Sequence, residues 1–158
     1  MKFIKIQQDL IKNIVTEKGE TQSVQEMGDD LIAVINKFNV YFIPRILWFL
    51  DTEKMRKRYS RKLDIDAILS FTNDYGAAQL TGDLKLATEG RRKITLLKVA
   101  NEKTHCWVNQ KLLSMFDNPS FYVKNSESLI QVQENDTLVG LVCPYAIKGR
   151  LNGGGKTV

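Results

Sequence analysis

The sequence holds little histidine, cysteine or proline, and the first two shortages exclude whole classes of site. A single histidine cannot form a histidine-rich metal centre, and Cys106 and Cys143 are too few for a four-cysteine zinc site or a disulfide scaffold. No apolar run reaches the roughly 18 residues that a membrane helix needs. Residues 1–5 lack the apolar core of a signal peptide. We therefore expect a cytoplasmic protein with no membrane partner, no bound metal and no cofactor.

What the sequence does contain fits one globular domain. The chain has 158 residues, of which 43% are hydrophobic and 26% are charged, close to the average for such a domain. We place the domain at 1–148 and a flexible tail at 149–158. The tail carries Gly-Gly-Gly-Lys-Thr, which looks like a phosphate-binding loop, but Arg150 stands where that loop requires its first glycine.

The first part of the chain is predicted to form a strand, a helix and three more strands. Residues 2–6 alternate in the manner of a short strand. A helix follows and stops at Gly19, with an apolar stripe at Leu10, Ile11, Ile14 and Val15. The three strands are then predicted at Ser23–Met27, Leu31–Ile35 and Phe38–Ile43.

The last part of the chain repeats that order. His105–Val108 is predicted to be a strand, and Asn109 is a suitable N-cap for the helix after it. The helix stripe consists of Leu112, Leu113 and Phe116. The three strands after it are predicted at Phe121–Lys124, Leu129–Gln133 and Leu138–Val142.

Matching residues in the two parts are separated by a nearly constant number of positions. Leu10 precedes Leu112 by 102 residues, Leu31 precedes Leu129 by 98, and Pro44 precedes Pro144 by 100. We interpret this as an internal repeat with half-units at about 1–44 and 105–147. The joining segment, 45–104, is predicted to hold a short helix at Asp64–Phe71 and a hairpin of Ala78–Leu86 with Lys93–Val99.

The last half-unit resembles the final part of bacterial DNA polymerase sliding clamps. The resemblance is carried by Trp107–Phe116, by the strands that follow, and by Leu138–Ile147 with its apolar-Pro-apolar step; the opening Met1-Lys2-Phe3 is also similar to the start of such clamps. It implies an α+β, DNA-clamp-like fold of two pseudo-repeated strand–helix–three-strand units, with antiparallel sheets and two helices on one face.

Two departures limit what the resemblance implies. A bacterial clamp chain carries three such domains, whereas this chain has room for one. A ring around DNA would therefore need a homo-oligomer of about six copies in heterologous contact. The joining segment 45–104 is also longer than the usual middle of such a domain. A phage-encoded or degenerate relative that kept the fold without the ring is the other interpretation.

Nucleic-acid contacts are predicted at two kinds of position. In a clamp-like fold the helices would present lysines to DNA phosphates, and the candidates are Lys12, Lys18 and Lys111. Independently of the resemblance, six cations fall within nine residues with no acid among them: Lys54, Arg56, Lys57, Arg58, Arg61 and Lys62. Such a cluster suits a phosphate backbone, and a solvated helix face is the alternative. A smaller basic run lies at 91–93.

Two adjacent aromatic residues, Trp48 and Phe49, are candidates for partner binding. They could fill a pocket on another protein or a seam between copies of this chain. Packing in the core is the alternative interpretation of both residues.

The sequence contains only weak candidates for catalytic residue pairs. His105 and Cys106 are neighbours on a predicted strand, so their side chains should diverge instead of forming a thiolate–imidazole pair. Asp29 with Asp30, and Asp64 with Asp66, could bind a metal ion as paired carboxylates, but such pairs more often mark a turn and a helix start.

Three functions follow in order of preference. The first is sequence-independent binding of double-stranded DNA, with a sliding-clamp-like role in processivity or an accessory role in phage replication or recombination, and no enzyme activity. The second is a protein-interaction module, a clamp mimic that binds replication proteins such as a polymerase or clamp loader without touching DNA. The third is a metal-dependent nuclease.

Overall fold

The protein is described by a computed structural model that covers residues 1–17, 21–59, 61, 64–70, 74–89 and 91–146. Gly19, Lys18, Lys62 and the tail at 149–158 lie outside the described residues. The helices are α1 (Phe3–Thr16), a 3-10 turn (Arg45–Leu47), α2 (Thr52–Arg58), α3 (Ile65–Ser70) and α4 (Gln110–Leu113). The strands are β1 (Thr21–Met27), β2 (Leu31–Asn36), β3 (Asn39–Pro44), β4 (Gly76–Glu89), β5 (Arg92–Ala100), β6 (His105–Asn109), β7 (Ser120–Val123), β8 (Ile130–Glu134) and β9 (Thr137–Val142).

The nine strands form one open antiparallel sheet in the order β1-β2-β3-β9-β8-β7-β4-β5-β6. The predicted α+β class with antiparallel pairing is confirmed, and so are the predicted strands from Ser23 onwards, with ends shifted by a few residues. The strand β4 pairs with two different strands along its length. Gly76–Ala78 pair with β7, and the remainder, Gln79–Glu89 with one bulge, pairs with β5. Its register shifts between Leu80 and Leu84, where Gly82 has a φ of 82°. Such a bulge needs a residue without a Cβ.

The predicted strand at 2–6 is wrong, because α1 already begins at Phe3. Five alternating residues cannot be told from the first turns of a helix by pattern alone. Ile6 and Leu10 are 3% and 1% exposed, and Phe3 and Ile14 pack against the same core. Their spacing of three and four residues is the helix period, so burying this stripe favours a helix over a strand.

The helix of the last part of the chain is much shorter than its stripe predicts. Asn109 caps it as expected, since its side-chain oxygen accepts the backbone N–H of Lys111 at 3.0 Å. The helix ends at Leu113, and Phe116 lies beyond it in a turn. The ring of Phe116 packs against Tyr41, with ring centroids 5.8 Å apart.

Both faces of the sheet bury apolar side chains. One face carries the larger core, to which α1, α2 and α4 contribute Leu10, Met55 and Leu113. The opposite face carries a smaller core around Phe42 and Leu141, which Ile65 of α3 covers. No helix in the described part of the chain is long and apolar enough to cross a membrane.

Candidate nucleic-acid interface

The basic run begins on α2, a helix fixed at its start and at one buried residue. The Asp51 carboxylate accepts the backbone N–H of Lys54 at 3.0 Å, and this hydrogen bond lowers the pKa of Asp51. Met55 is 9% exposed and anchors the helix, which lies against β1. Arg56, Lys57 and Arg58 therefore remain on the outside of the last turn, where cations also complement the helix dipole.

Some cations of this run have partners and others do not. The Nζ of Lys54 lies 3.4 Å from an Asp51 oxygen, and an Nη of Arg56 lies 3.6 Å from an oxygen of Glu26. Such exposed pairs contribute little to stability and are easily exchanged.

Three further cations of the run are exposed and carry no ion pair among the described residues. They are Lys57, Arg58 and Arg61. We call these three the α2 cluster. Because their charge is not spent within the described part of the fold, it is available to an anionic ligand.

A second basic site lies where β5 approaches α4. A groove of about 380 Å³ is lined there by Lys93, Ile94, Thr95, Asn109, Gln110, Lys111 and Ser114. It unites the predicted contact Lys111 with Lys93 of the smaller basic run. Gln110 was expected beside Lys111, but the hydroxyl groups of Thr95 and Ser114 were missed from the sequence, because only the pairing of β5 with β6 brings them together with both lysines.

The two basic sites are far apart. The α2 cluster adjoins β1, at one end of the strand order, and the groove adjoins β5, seven strands away. At a strand spacing of about 4.8 Å this separation is roughly 30 Å along the sheet. Lys12 is exposed on α1 and does not line the groove. The structure therefore does not gather the predicted contacts into one site.

The two aromatic candidates differ in exposure. Trp48 is half-buried against the core, and its Nε1 is buried without an acceptor among the described residues. Phe49 is 55% exposed. Core packing is thus the outcome for most of Trp48, while Phe49 remains free to meet a partner.

The backbone around these aromatics is held by a buried glutamine. The Nε2 of Gln7 donates to the Leu47 carbonyl at 2.9 Å, and the Phe49 N–H donates to the Oε1 of Gln7 at 2.8 Å. Gln7 is 0% exposed, so the side-chain end of both bonds is shielded from water. Ile46, at 91% exposed, and Leu47, at 46%, are displayed on the same fixed segment.

The helix next to that segment adds exposed apolar side chains. Ile4, Ile11 and Val15 of α1 are 66%, 42% and 77% exposed. Helical periodicity puts them on the side of α1 that borders Gln7. We call the six residues Ile4, Ile11, Val15, Ile46, Leu47 and Phe49 the α1–loop patch. A grouped apolar surface of this kind is typical of a site of protein contact.

Among the described side chains, which do not include that of Asp66, the candidate pairs form no catalytic arrangement. His105 is exposed and Cys106 is buried, as expected of neighbours on a strand, and burial raises the pKa of the Cys106 thiol to about 11. Asp29 and Asp30 lie in the turn before β2, and Asp64 accepts the Ala67 N–H at the start of α3. Among the described residues, no three His, Cys, Asp or Glu side chains form a group that could hold a metal ion.

Comparisons with protein-family models, with curated proteins and with solved structures found no match to this chain. Function must therefore be inferred from the chain's own residues, chiefly those of the α2 cluster and the α1–loop patch.

Proposed function

We propose that this chain binds double-stranded DNA without regard to sequence, as a clamp-like accessory protein in phage replication or recombination. The observation that carries the proposal is the α2 cluster, whose three cations are exposed and unpaired within the described residues. Cations on flexible side chains bind phosphates and do not read bases. Each phosphate that they neutralise releases condensed counterions, which drives binding at low salt.

The pairing of the strands supports the clamp-like part of the proposal. Directly opposed residues form one row across six strands: Val24, Val34, Tyr41, Gly140, Val132 and Phe121. The row is symmetric about the Tyr41–Gly140 pair, because β1-β2-β3 on one side mirrors β7-β8-β9 on the other. Its five side chains belong to the larger core. Two copies of a three-strand unit related by a twofold axis would produce this arrangement.

The row also corrects the spacing of the proposed repeat in its last strand. Val34 corresponds to Val132, 98 residues later, and Tyr41 corresponds to Gly140, 99 residues later. The match of Pro44 with Pro144, at 100, is therefore displaced by one residue. A slip of one residue would turn every side chain to the wrong face of the sheet. The irregularity between β8 and β9 is where the spacing changes.

Two features depart from the clamp pattern and shift the proposed contact. The first unit has no strand before α1, and α4 has four residues. The four-residue α4 presents Lys111 alone, and the 14-residue α1 carries only Lys5 and Lys12, with Asp9 between them. We therefore propose that the α2 cluster makes the main contact and that Lys12 and Lys111 add to it.

The test is duplex binding measured by fluorescence anisotropy over a series of salt concentrations. Several unrelated duplexes should bind alike, and the logarithm of the binding constant should fall with the logarithm of salt by about 0.9 per phosphate contacted. Binding that is absent at low salt, or unchanged by salt, would contradict the proposal.

Charge reversal of the α2 cluster is the decisive variant. Replacing Lys57, Arg58 and Arg61, the three residues of the α2 cluster, with Glu should weaken binding at least about tenfold and reduce the salt slope by about two to three units.

A matched control separates the site from net charge. Replacing Lys37, Lys103 and Lys124 with Glu changes the charge of the chain equally, but these residues lie away from α2. We expect this control to weaken binding much less. Equal losses in the two triple variants would mean that net charge, and not the α2 cluster, governs binding.

A second function is favoured by the α1–loop patch, namely binding of a replication protein without DNA contact. Gln7 holds Leu47 and Phe49 in place, so little conformational entropy would be lost on docking. The test is direct binding to a purified polymerase or clamp loader. Phe49→Asp should abolish that binding and leave duplex binding unchanged, while the α2 charge reversal should do the opposite. If Phe49→Asp binds the partner normally, the patch has no such role.

A further inference from the structure

The sheet leaves one of its edges open. At one end, β1 is flanked by α2, and the Gln25 side chain donates to the Arg61 carbonyl at 3.5 Å. At the other end, the Tyr145 N–H donates to the Trp107 carbonyl of β6 at 2.6 Å. In contrast, β4 projects past the four residues of β7, and from Gln79 to Glu89 it pairs with β5 alone among the described strands.

That open edge carries exposed leucines, whereas the exposed edges of natural sheets are usually protected by charged residues, proline or bulges. Leu80, Leu84 and Leu86 are 44%, 67% and 72% exposed. An exposed strand edge with apolar side chains is a template for pairing with another strand. Within the described part of the chain, the side of β4 that faces away from β5 has no partner strand from Gln79 to Glu89, and a segment of this length is enough for such an addition.

We propose that two copies of this chain pair through β4, antiparallel and centred on Leu84, to form a symmetric dimer. In this register Leu84 faces its own copy. Leu86 faces Gly82 of the other chain, where nothing lies within 4 Å of the position that a Cβ would occupy. Asp83 faces Lys85 of the other chain, and the same pair occurs twice by symmetry.

The two charged residues already lie on one face of the sheet. The Nζ of Lys98 is 3.1 Å from an Asp83 oxygen, and the Nζ of Lys85 is 5.8 Å from the centre of the Trp107 ring. Lys98 and Trp107 are directly opposed on β5 and β6, so they point to the same side. An Asp83–Lys85 pair between chains would therefore form on this side.

Charge complementarity identifies the occupant of the edge and its register. Centring the pair on Lys85 would set two lysines against each other, and centring it on Leu86 would set Asp83 against Glu89. Of these three centres, the one on Leu84 alone opposes unlike charges. A foreign strand would have to supply the matching acid and base, whereas a second copy supplies them by symmetry. This contact closes at two copies, unlike the head-to-tail contacts of a six-membered ring.

The test is solution mass by sedimentation equilibrium, without DNA, on the full chain. The wild type should reach the mass of two 18.1 kDa chains as its concentration rises. Asp83→Lys and Lys85→Asp should each raise the dimer dissociation constant at least about tenfold, because each sets like charges against each other. The double variant with both changes restores unlike pairs and should return to within about threefold of the wild type.

Three outcomes would overturn the inference. They are a wild type that stays monomeric at about 200 µM, a mass near six chains, and a folded double variant that dimerises no better than the single ones. Ile46→Asp, on the α1–loop patch, is the control and should leave the dimer unchanged. The inference is independent of DNA binding, since the anisotropy experiment can fail while the dimer forms, and the reverse.

Discussion

The two three-strand units of the sheet share their register but begin differently. In the second unit, His105–Asn109 form β6, a strand that pairs along its length with β5. In the first unit, the corresponding residues Phe3–Gln7 are the first turns of α1. Ile6 and Val108, 102 residues apart, are both buried, one on a helix and the other on a strand. The same apolar pattern thus forms a strand where a neighbouring strand is available for pairing, as β5 is for β6, and a helix where the described part of the chain offers none. A strand needs such a neighbour because its backbone groups must be hydrogen-bonded.

The centre of the row shows a second difference between the units. The side chain of Tyr41 covers the core face of the sheet at its own position. Gly140, the matching residue of the second unit, has no side chain, and the ring of Phe116 occupies the space above it. A Cβ on Gly140 would lie 2.9 Å from the Phe116 ring and 2.8 Å from the Val40 carbonyl oxygen. The units are therefore alike in backbone pairing but not interchangeable in side-chain volume.

Gly140→Ala should give the largest effect of the changes that test this comparison. The added methyl group meets a backbone oxygen and a buried ring, and neither can move without disturbing the β3–β9 pair. We expect a loss of about 3 kcal/mol in the free energy of unfolding. Urea denaturation followed by circular dichroism measures it.

Gly76→Ala is the matched control for that change. A Cβ there would lie 3.1 Å from the Nδ2 of Asn101, a side-chain atom that can shift, and 3.8 Å from a backbone oxygen. We expect a loss below about 1 kcal/mol. If both variants are equally stable, the close packing of Phe116 over Gly140 does not exist.

Gln7 and Asn109 lie at matching positions of the proposed repeat, 102 residues apart, but make different contacts. Gln7 is fully buried and joins α1 to the backbone at Leu47 and Phe49, whereas Asn109 caps a four-residue helix from a half-buried position. Gln7→Ala removes a fully buried side chain and leaves the Leu47 carbonyl and the Phe49 N–H without their partner, and it should cost about 2 kcal/mol. Asn109→Ala should cost about 1 kcal/mol. Thermal denaturation of both variants gives the order, and the reverse order would mean that the Gln7 bonds are not shielded.

Much of the fold could be predicted because the strands are marked by local signals. Alternating apolar residues with turns at 28–30 and 135–136 place β2, β3, β8 and β9 to within a few residues. The start of α1 could not be predicted, since residues 2–6 fit both periods. The length of α4 could not be predicted either, because the Leu112–Phe116 stripe is satisfied by a turn in which Phe116 packs on Tyr41.

The candidate site was predicted in its parts but not in its arrangement. The charge of the α2 run is visible in the sequence, but its division into paired and unpaired cations depends on Glu26 of β1. The meeting of Lys93 with Lys111 depends on the order of strands, which is a long-range property. Phe49 of the α1–loop patch was predicted as a partner contact, but the other five residues were missed, because a buried glutamine that fixes the loop has no sequence signature that distinguishes it from a surface one.

Moving a thiol from one position of the proposed repeat to the matching position should have the smallest effect on stability and a clear effect on thiol reactivity. Ile4 precedes Cys106 by 102 residues, yet Ile4 is 66% exposed and Cys106 is 2% exposed. Because burial raises the pKa of the Cys106 thiol to about 11, at pH 8 only about one molecule in a thousand carries the reactive thiolate. Ile4→Cys, in a chain with Cys106→Ala and Cys143→Ala, should react with a thiol reagent at pH 8 at least about a hundred times faster than native Cys106. The Ile4 change by itself should alter the free energy of unfolding by less than about 0.5 kcal/mol. Equal labelling rates would mean that residues 3–7 are buried as a strand, as Cys106 is, and that the two units begin alike.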